Sequence, residues 1–239
     1  IQIKPPRPVR DSVPVKPGDL PGKDTVISTD QVKDPDGNSY NTISIGKLRW
    51  MRENLRTTRY NDGSPIQGNL SNAAWESAHD GAYAIYENNS QYDAVYGKLY
   101  NGYAVATGKL CPLGWRLPTD RDWQDLESSI GMSSELLGVM GGRGNMAGLL
   151  KEPGLWDPSG EPSSNSSGFS IRPAGIRSAN GDFLVLKQYG DFWTSTVYEN
   201  PYALYLWKRH FYYNSSEIGR NYLSANNGYS CRCVQDLGK

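Results

Sequence analysis

The sequence contains few of the residues from which most catalytic sites are built. Its 239 residues include only two histidines, His79 and His210, and three cysteines, Cys111, Cys231 and Cys233. A nucleophilic triad needs a serine or cysteine beside a base, and no Gly-x-Ser-x-Gly motif accompanies the two histidines. Three cysteines are also too few for a fold held together mainly by disulfides. We therefore predict a protein that is not an enzyme.

The chain also lacks an excess of charge and a long apolar run. The 25 basic and 25 acidic residues cancel, so no overall field favours nucleic acid or an anionic membrane surface. No block of like charges indicates a binding arm, and no apolar run is long enough for a transmembrane helix. The start, IQIKPPRP, is typical of a trimmed or mature chain rather than of a signal peptide. We expect a monomer that does not bind nucleic acid.

Aromatic residues make up 11% of the chain, and tyrosine and tryptophan dominate them. There are 16 Tyr and 7 Trp but only 4 Phe. Tyrosine and tryptophan bury a ring and keep a polar group available, so this bias suits half-buried β-sheet surfaces and hydrated binding faces. The alternative is a β-rich core with ordinary exposed tyrosines.

The N-terminal residues differ in composition from the rest. Residues 1–25 hold six of the 15 prolines, namely Pro5, Pro6, Pro8, Pro14, Pro17 and Pro21. Proline fixes φ and removes a backbone donor, so this stretch predicts an extended, polyproline-like spacer. We therefore divide the chain into a spacer, residues 1–25, and one domain, residues 26–239. A lipid anchor upstream of residue 1 is compatible with such a spacer.

The clearest helix start lies in the middle of the chain. Thr119 is a good N-cap, and Asp122 three residues later completes a capping box. Trp123 and Leu126 then follow at helical spacing, which predicts a helix that begins at Asp120 and packs inward.

Strands and loops account for most of the remainder. The dipeptides Asp36-Gly37 and Asn180-Gly181 are strong hairpin signals. In the last third we predict strands over residues 169–177, 182–188, 191–198, 202–213, 217–223 and 229–235. Residues 152–168, EPGLWDPSGEPSSNSSG, predict a long loop with an exposed Trp156, and loops of this length are usually functional or disordered.

Five blocks of sequence resemble one bacterial family in order. They are DGNSYNTISIGKLRWMRENLRTTRYNDGSPI, CPLGWRLPTDRDW, SSGFSIRPAGIR, DFWTSTVYE and GYSCRCVQD. Together they resemble the Fibrobacter succinogenes major paralogous domain, a family of bacterial surface and secreted proteins, over roughly residues 31–236. The resemblance implies an α+β, C-type lectin-like fold with twisted antiparallel sheets, few short helices and long loops. It also implies an extracellular or cell-surface location, as an outer-membrane lipoprotein or a secreted protein.

The cysteines leave two pairings open on residue pattern alone. Cys231 and Cys233 point to the same face of a strand, so either could meet Cys111, and three reduced, buried cysteines are a further alternative. The family usually keeps a cysteine at the position of Cys233 and an aliphatic residue at that of Cys231. The resemblance therefore implies a Cys111–Cys233 disulfide, an unpaired Cys231 and an oxidising compartment.

The sequence does not carry a calcium-binding motif of the lectin type. Sugar-binding C-type lectins use Glu-Pro-Asn or Gln-Pro-Asp with Trp-Asn-Asp, whereas this chain has Glu199-Asn200-Pro201 and Trp193-Thr194-Ser195. The run from Asp34 starts like an EF-hand loop but has Ile45 where the motif needs glutamate. Calcium stays possible without a matching motif, and we predict no cofactor and no metal site.

We expect binding through loops on a rigid β scaffold. The candidate ligand-binding residues are Trp156, Asp157, Asn165, Glu199, Asn200, Tyr202 and Trp207. The fold implied by the resemblance places the loop at Trp156 near the turn at Tyr202. In the alternative interpretation, Trp207 belongs to the core and Trp156 only fixes the loop.

Three functions fit the sequence. The first is an adhesin-like binding module for a glycan or a protein, and the second is a structural component of a surface or pilus assembly. The third follows from the RLPTD segment, which is similar to the RLPTEAEW segment of formylglycine-generating enzymes: a degenerate oxidoreductase of that type. A reactive Cys231/Cys233 pair in a pocket would favour the third function, and an exposed aromatic cluster at the long loop would favour the first.

Overall fold

The computed structural model describes residues 26–238, so the predicted spacer, residues 1–25, lies outside the described residues. The strands are β1 (Val26–Lys33), β2 (Ser39–Ile45), β3 (Leu48–Met51), β4 (Tyr83–Ala84), β5 (Leu99–Asn101), β6 (Gly141–Arg143), β7 (Ile176–Arg177), β8 (Phe183–Leu184), β9 (Tyr189–Tyr198), β10 (Tyr205–Tyr212), β11 (Ile218–Ser224), β12 (Gly228–Tyr229) and β13 (Val234–Asp236). The helices are α1 (Asn72–Glu76), α2 (Asp93–Tyr96), α3 (Gly102–Ala106), α4 (Asp120–Ser129), α5 (Ser134–Leu137) and α6 (Ala147–Leu150). The predicted α+β class is confirmed.

Three sheets, all built from antiparallel strand pairs, organise the described residues. Their strand orders are β1-β2-β3-β13, β6-β11-β10-β9 and β4-β5-β12-β7-β8. The hairpin predicted at Asp36-Gly37 joins β1 to β2, where Lys33 faces Ser39. The terminal strand β13 pairs with β3, with Val234 opposite Trp50. The C-terminal strand is thereby fixed to the N-terminal hairpin.

The helix predicted from Asp120 is α4, and its capping box is confirmed. The Thr119 hydroxyl accepts from the Asp122 amide at 3.1 Å, and the Asp122 carboxylate accepts from the Thr119 amide at 2.7 Å. From this start α4 carries Trp123 into the largest core cluster. There the Trp123 ring lies 5.8 Å from that of Phe192 on β9 and 6.3 Å from that of Phe211 on β10.

Two predicted strands are much shorter than expected. The structure keeps only β7 within residues 169–177 and only β8 within residues 182–188. Positive φ angles at Ser170, Val185 and Lys187 turn the chain out of the extended conformation, and Pro173 lacks the amide that a ladder would use. Most of each segment is therefore a loop with defined turns, and the two segments pack beside β9.

A disulfide joins Cys111 to Cys233 in the second core cluster, as the family resemblance implied. The two Cα atoms are 5.8 Å apart, and the bridge spans 122 residues of sequence. Cys231 is a free, buried cysteine, and burial raises the pKa of its thiol well above the usual value. The loop preceding α4 is thus tied covalently to the segment before β13.

We expect the bridge to contribute about 4–5 kcal/mol, because closing a loop of this length removes unfolded-state entropy. Guanidinium unfolding of the wild type should lose about that much stability when a reductant is added. The Cys111→Ala/Cys233→Ala variant should be insensitive to reductant. Cys231→Ala keeps the bridge and is the matched control, so it should remain reductant-sensitive. Equal behaviour of all three proteins would contradict the role of the bridge.

His210 on β10 is a buried histidine. Its ring stacks on Tyr212 at 4.7 Å and lies against Gly219 of β11, where even a Cβ atom would collide with the imidazole. Burial, together with the positive charges of Lys208, Arg143 and Arg209, lowers the pKa of His210 to about 3. The folded protein therefore holds this imidazole neutral.

His210 should make the protein less stable in acid. The folded pKa lies below the unfolded value of about 6.5, so between about pH 6.5 and 3 only the unfolded chain binds this proton. Going from pH 6.5 to 4.5 should cost about 2–3 kcal/mol of unfolding free energy through this side chain. Denaturant unfolding of His210→Gln should show a smaller loss over that range. The exposed His79 provides the control, since His79→Gln should follow the wild type.

Candidate functional site

The predicted ligand-binding residues fall into two groups at opposite ends of the β9–β10 hairpin. Trp156 lies against Gly190 at the start of β9, and the Asp157 amide donates to the Lys187 carbonyl. Glu199 and Tyr202 lie in the turn that follows β9. At about 3.3 Å per residue, β9 separates the groups by about 25–30 Å. The expectation that they lie near each other is wrong, because β9 runs the full length of its sheet between them.

The expected exposure of Trp156 is also wrong. Its side chain is only 8% exposed and belongs to the main core cluster. The indole Nε1 donates to the Ile171 carbonyl at 3.3 Å, and the Lys151 Nζ lies 4.9 Å from the ring centroid. Burial lowers the pKa of that lysine to about 8. Trp156 therefore fixes the long loop to the core, as the alternative interpretation had it.

Asp157 and Asn165 close turns inside the same loop. The Asp157 carboxylate accepts from the amide and hydroxyl of Ser159, and these hydrogen bonds lower the pKa of Asp157. The Asn165 side chain donates to the Ser170 hydroxyl and accepts from the Ser170 amide, both at 2.8 Å. Both polar groups are used in shaping the loop.

Four aromatic side chains form one half-buried surface at the other end of the hairpin. We call Tyr198, Tyr205, Trp207 and Tyr222 the aromatic surface. In the sheet register Tyr205 lies opposite Tyr198, and Trp207 lies opposite Tyr222. The rings of Tyr198 and Tyr222 stack at 3.5 Å with an interplanar angle of 6°. Tyr205 and Trp207 stand nearly perpendicular to Tyr222, at 75° and 77°.

Arg220 on β11 supports this surface from beneath. Its guanidinium lies 3.7 Å from the centroid of the Trp207 ring. Its Nη2 donates to the Asp120 carboxylate at 2.7 Å, and its Nη1 donates to the Gly138 carbonyl at 2.8 Å. A cation in this position attracts the ring and is itself neutralised by the carboxylate. Trp207 is therefore held with one of its faces covered.

The Arg220–Asp120 pair belongs to a buried ionic cluster under α4. Arg209 donates to Asp120 and to Glu127, each at 2.6 Å, and Arg143 donates to Glu127 at 2.9 Å. Burial alone would raise the pKa of the Asp120 carboxyl, but hydrogen bonds from Arg220 and the charge of Arg209 outweigh it and hold that pKa below its usual value. Because Asp120 is the first residue of α4, the helix covers the sheet on one side of this cluster, and the aromatic surface lies on the other side.

The turn beyond the aromatic surface presents a single exposed ring. The Asn200 side chain accepts from the amides of Tyr202 and Ala203 at 2.9 and 3.2 Å, which fixes the turn. Tyr202 is 93% exposed. Glu199 is exposed too, and no ion-pair partner for it occurs within residues 26–238. The turn thus offers one tyrosine ring and one carboxylate to an incoming molecule.

Sequence reasoning found only part of this site. Trp207 was predicted, and the structure places it at the surface rather than in the core, contrary to the alternative interpretation. Tyr198, Tyr205, Tyr222 and Arg220 were missed. The alternation of Tyr205 and Trp207 along one strand was the available signal, but the cross-strand partner Tyr222 depends on a register that the sequence did not define.

The described part of the chain offers no metal cluster and no dithiol. Within residues 26–238 no three His, Cys, Asp or Glu side chains group as metal ligands. Cys233 is in the disulfide and Cys231 is buried, so these two cysteines do not form a reactive pair of thiols. None of the helices in this range is long and apolar enough to cross a membrane.

Comparison with known families gives one match that covers most of the chain. The sequence profile of the Fibrobacter succinogenes major domain matches residues 43–235, which include the disulfide, α4 and the aromatic surface. Comparisons with curated proteins and with solved structures give no match. The chain belongs to the Fibrobacter succinogenes major domain family.

Proposed function

We propose that this domain is a non-catalytic binding module of the bacterial cell surface or extracellular space, with a C-type lectin-like fold. The observation that carries the proposal is the aromatic surface, where four rings stay half-exposed beyond the end of α4. Tyrosine and tryptophan, together with arginine, supply most of the binding energy at protein interfaces. The disulfide supports the location, because such bridges persist in oxidising compartments.

The ring geometry favours a protein partner over a sugar at the aromatic surface. A sugar stacks on a free aromatic face, but Tyr198 and Tyr222 cover each other and Arg220 covers one face of Trp207. Tyrosine and tryptophan combine an apolar ring with a polar group, which suits the mixed apolar and polar contacts of a protein interface. This partner class covers both an adhesin and a structural component of a surface assembly.

A glycan ligand is the second candidate, and Tyr202 is the observation that favours it. Its ring is almost fully exposed and has no stacking partner within residues 26–238. Sugar binding there would not require calcium, since no carboxylate cluster accompanies the ring. The oxidoreductase alternative has little support, because a buried thiol and a bridged cysteine cannot act as a reactive pair.

Site-specific photo-crosslinking on intact cells tests the proposal. A photoreactive p-benzoylphenylalanine at position 202 should yield a discrete protein adduct, because the side chain is exposed beside the aromatic surface. The same group at position 113 is the control, since Leu113 is 81% exposed in a different turn. Tyr222→Ala should lower the yield of the adduct at position 202. An interface residue worth about 2 kcal/mol lowers the affinity for the partner about 30-fold.

Two outcomes would contradict a protein partner. One is an adduct of equal yield at both positions, and the other is an adduct that Tyr222→Ala leaves unchanged. Binding to a glycan array that is lost in Tyr202→Ala and retained with a chelator would establish the second candidate instead.

A further inference from the structure

We propose that the cleft between α4 and the sheet of β1, β2, β3 and β13 is a binding site for a neutral sugar. The cleft shares no residue with the aromatic surface, so this site is separate from the proposed interface and goes beyond the proposed function. The shape of the cleft, its charge balance and a buried hydrogen-bond donor without a partner all support this site.

One wall of the cleft is a single face of the sheet. Ile45 lies opposite Leu48 in the β2–β3 hairpin, and Leu48 also lies opposite Asp236 of β13. Residues opposite each other in an antiparallel pair project from the same face, and Trp50, two residues after Leu48, projects from that face too. Since β13 is the edge strand, this wall is apolar with one carboxylate at its edge.

The facing wall is one side of α4. Asp122, Leu126 and Ser129 are four and three residues apart, so they follow one another along that side of the helix. At the C-terminal end of α4 the helix meets the β2–β3 turn, where a Cβ atom on Gly46 would lie 3.2 Å from the Ser129 Oγ. The cleft has a volume of about 390 Å³, within the range of about 300–1,000 Å³ that is usual for small-molecule sites.

Arg116 links the two walls near the N-terminal end of α4. Its Nη1 donates to Asp122 on the helix at 2.6 Å, and its Nη2 donates to Asp236 on β13 at 2.9 Å. The two walls are therefore joined before any ligand binds, and such preorganisation lowers the cost of binding.

The charges along the cleft cancel one another. Three carboxylates line it, and Arg116 neutralises two of them. Arg121 binds the third, Asp125, at 2.9 Å, and Lys47 adds a cation at the β2–β3 turn. A site with this balance favours neither a metal ion nor a strongly anionic molecule. Its carboxylates and serine hydroxyls suit the hydroxyl groups of a neutral ligand instead.

The indole of Trp50 supplies a hydrogen-bond donor that lacks an acceptor. The side chain is fully buried, and its Nε1 has no hydrogen-bond partner within residues 26–238. Unpaired buried donors are uncommon in folded proteins, because each one costs free energy. Trp50 also lines the cleft, so an oxygen of a molecule bound there is the acceptor that this donor lacks.

A sugar combines the features that the cleft requires. Its C–H groups are apolar and can pack against Leu48 and Leu126, which are buried in the two walls. Its hydroxyls both donate and accept, so they can donate to the rim carboxylates and accept from the Trp50 indole. A sugar ring is also rigid, and it therefore loses little conformational entropy on binding.

NMR titration of the full-length chain with four neutral methyl glycosides tests this site. The four are the glucoside, the galactoside, the mannoside and the N-acetylglucosaminide. With about 13–16 non-hydrogen atoms, such a ligand has an expected Kd of about 1 mM at ordinary binding energy per atom. At least one of them should shift the Trp50 indole proton downfield, because that proton gains an acceptor. No shift of this signal at about 50 times that concentration, with any of the four, would overturn the proposal.

Asp125→Ala is the test variant, since it removes an exposed carboxylate of the cleft without changing the core. It should weaken binding of the glycoside about tenfold, as expected for a lost hydrogen bond to a charged group. Glu135→Ala is the matched control, because it removes an exposed helical carboxylate outside the cleft and should leave the affinity unchanged. Equal affinity of Asp125→Ala and the wild type would contradict a site in the cleft.

The anionic counterpart of the glucoside tests the charge balance. Methyl glucuronide has nearly the same size, and its carboxylate would meet the carboxylates of the cleft, so it should bind more weakly than the glucoside. Equal or tighter binding of the glucuronide would overturn the assignment of a neutral ligand.

The result is independent of the proposed function. Photo-crosslinking at position 202 reports on the aromatic surface alone, whereas the shift of the Trp50 indole should persist in Tyr202→Ala and Tyr222→Ala. A titration that moves the Trp207 indole signal and leaves that of Trp50 in place would put the sugar at the aromatic surface and overturn the cleft site.

Discussion

The position of α4 and the order of the aromatic surface both depend on the ion pairs of the buried Asp120 carboxylate. It receives Arg209 from β10 and Arg220 from β11, and it is also the first residue of α4. In a low-dielectric interior, removing one partner of such a cluster leaves an uncompensated charge and typically costs about 3–5 kcal/mol. The position of α4 over its sheet is therefore fixed at the N-terminal end of the helix. Because Arg220 also stacks on Trp207, the same carboxylate orders the aromatic surface.

This fixed helix divides one face of a sheet into two chemical environments. Beneath α4, the rings of Phe192 and Phe211 pack around Trp123 without access to water. Beyond Asp120, the face carries tyrosines and Trp207, whose rings are half-buried and whose polar groups can meet solvent. Phenylalanine thus occupies the covered part of this face and tyrosine the uncovered part, because only the covered part excludes water. The rings already pack on one another and on Arg220 without a ligand, and such preorganisation lowers the cost of binding.

The sequence predicted what depends on neighbouring residues and missed what depends on long-range placement. The capping box at Thr119 and the hairpin at Asp36-Gly37 are local, and both were confirmed. The Cys111–Cys233 pairing was accessible only through the family resemblance, since residue pattern left two partners open. The predicted exposure of Trp156 was wrong, because a loop composition rich in proline, glycine and serine does not determine which side chain packs into the core. That choice is made by Lys151 and the Ile171 carbonyl, which meet Trp156 only in the folded chain.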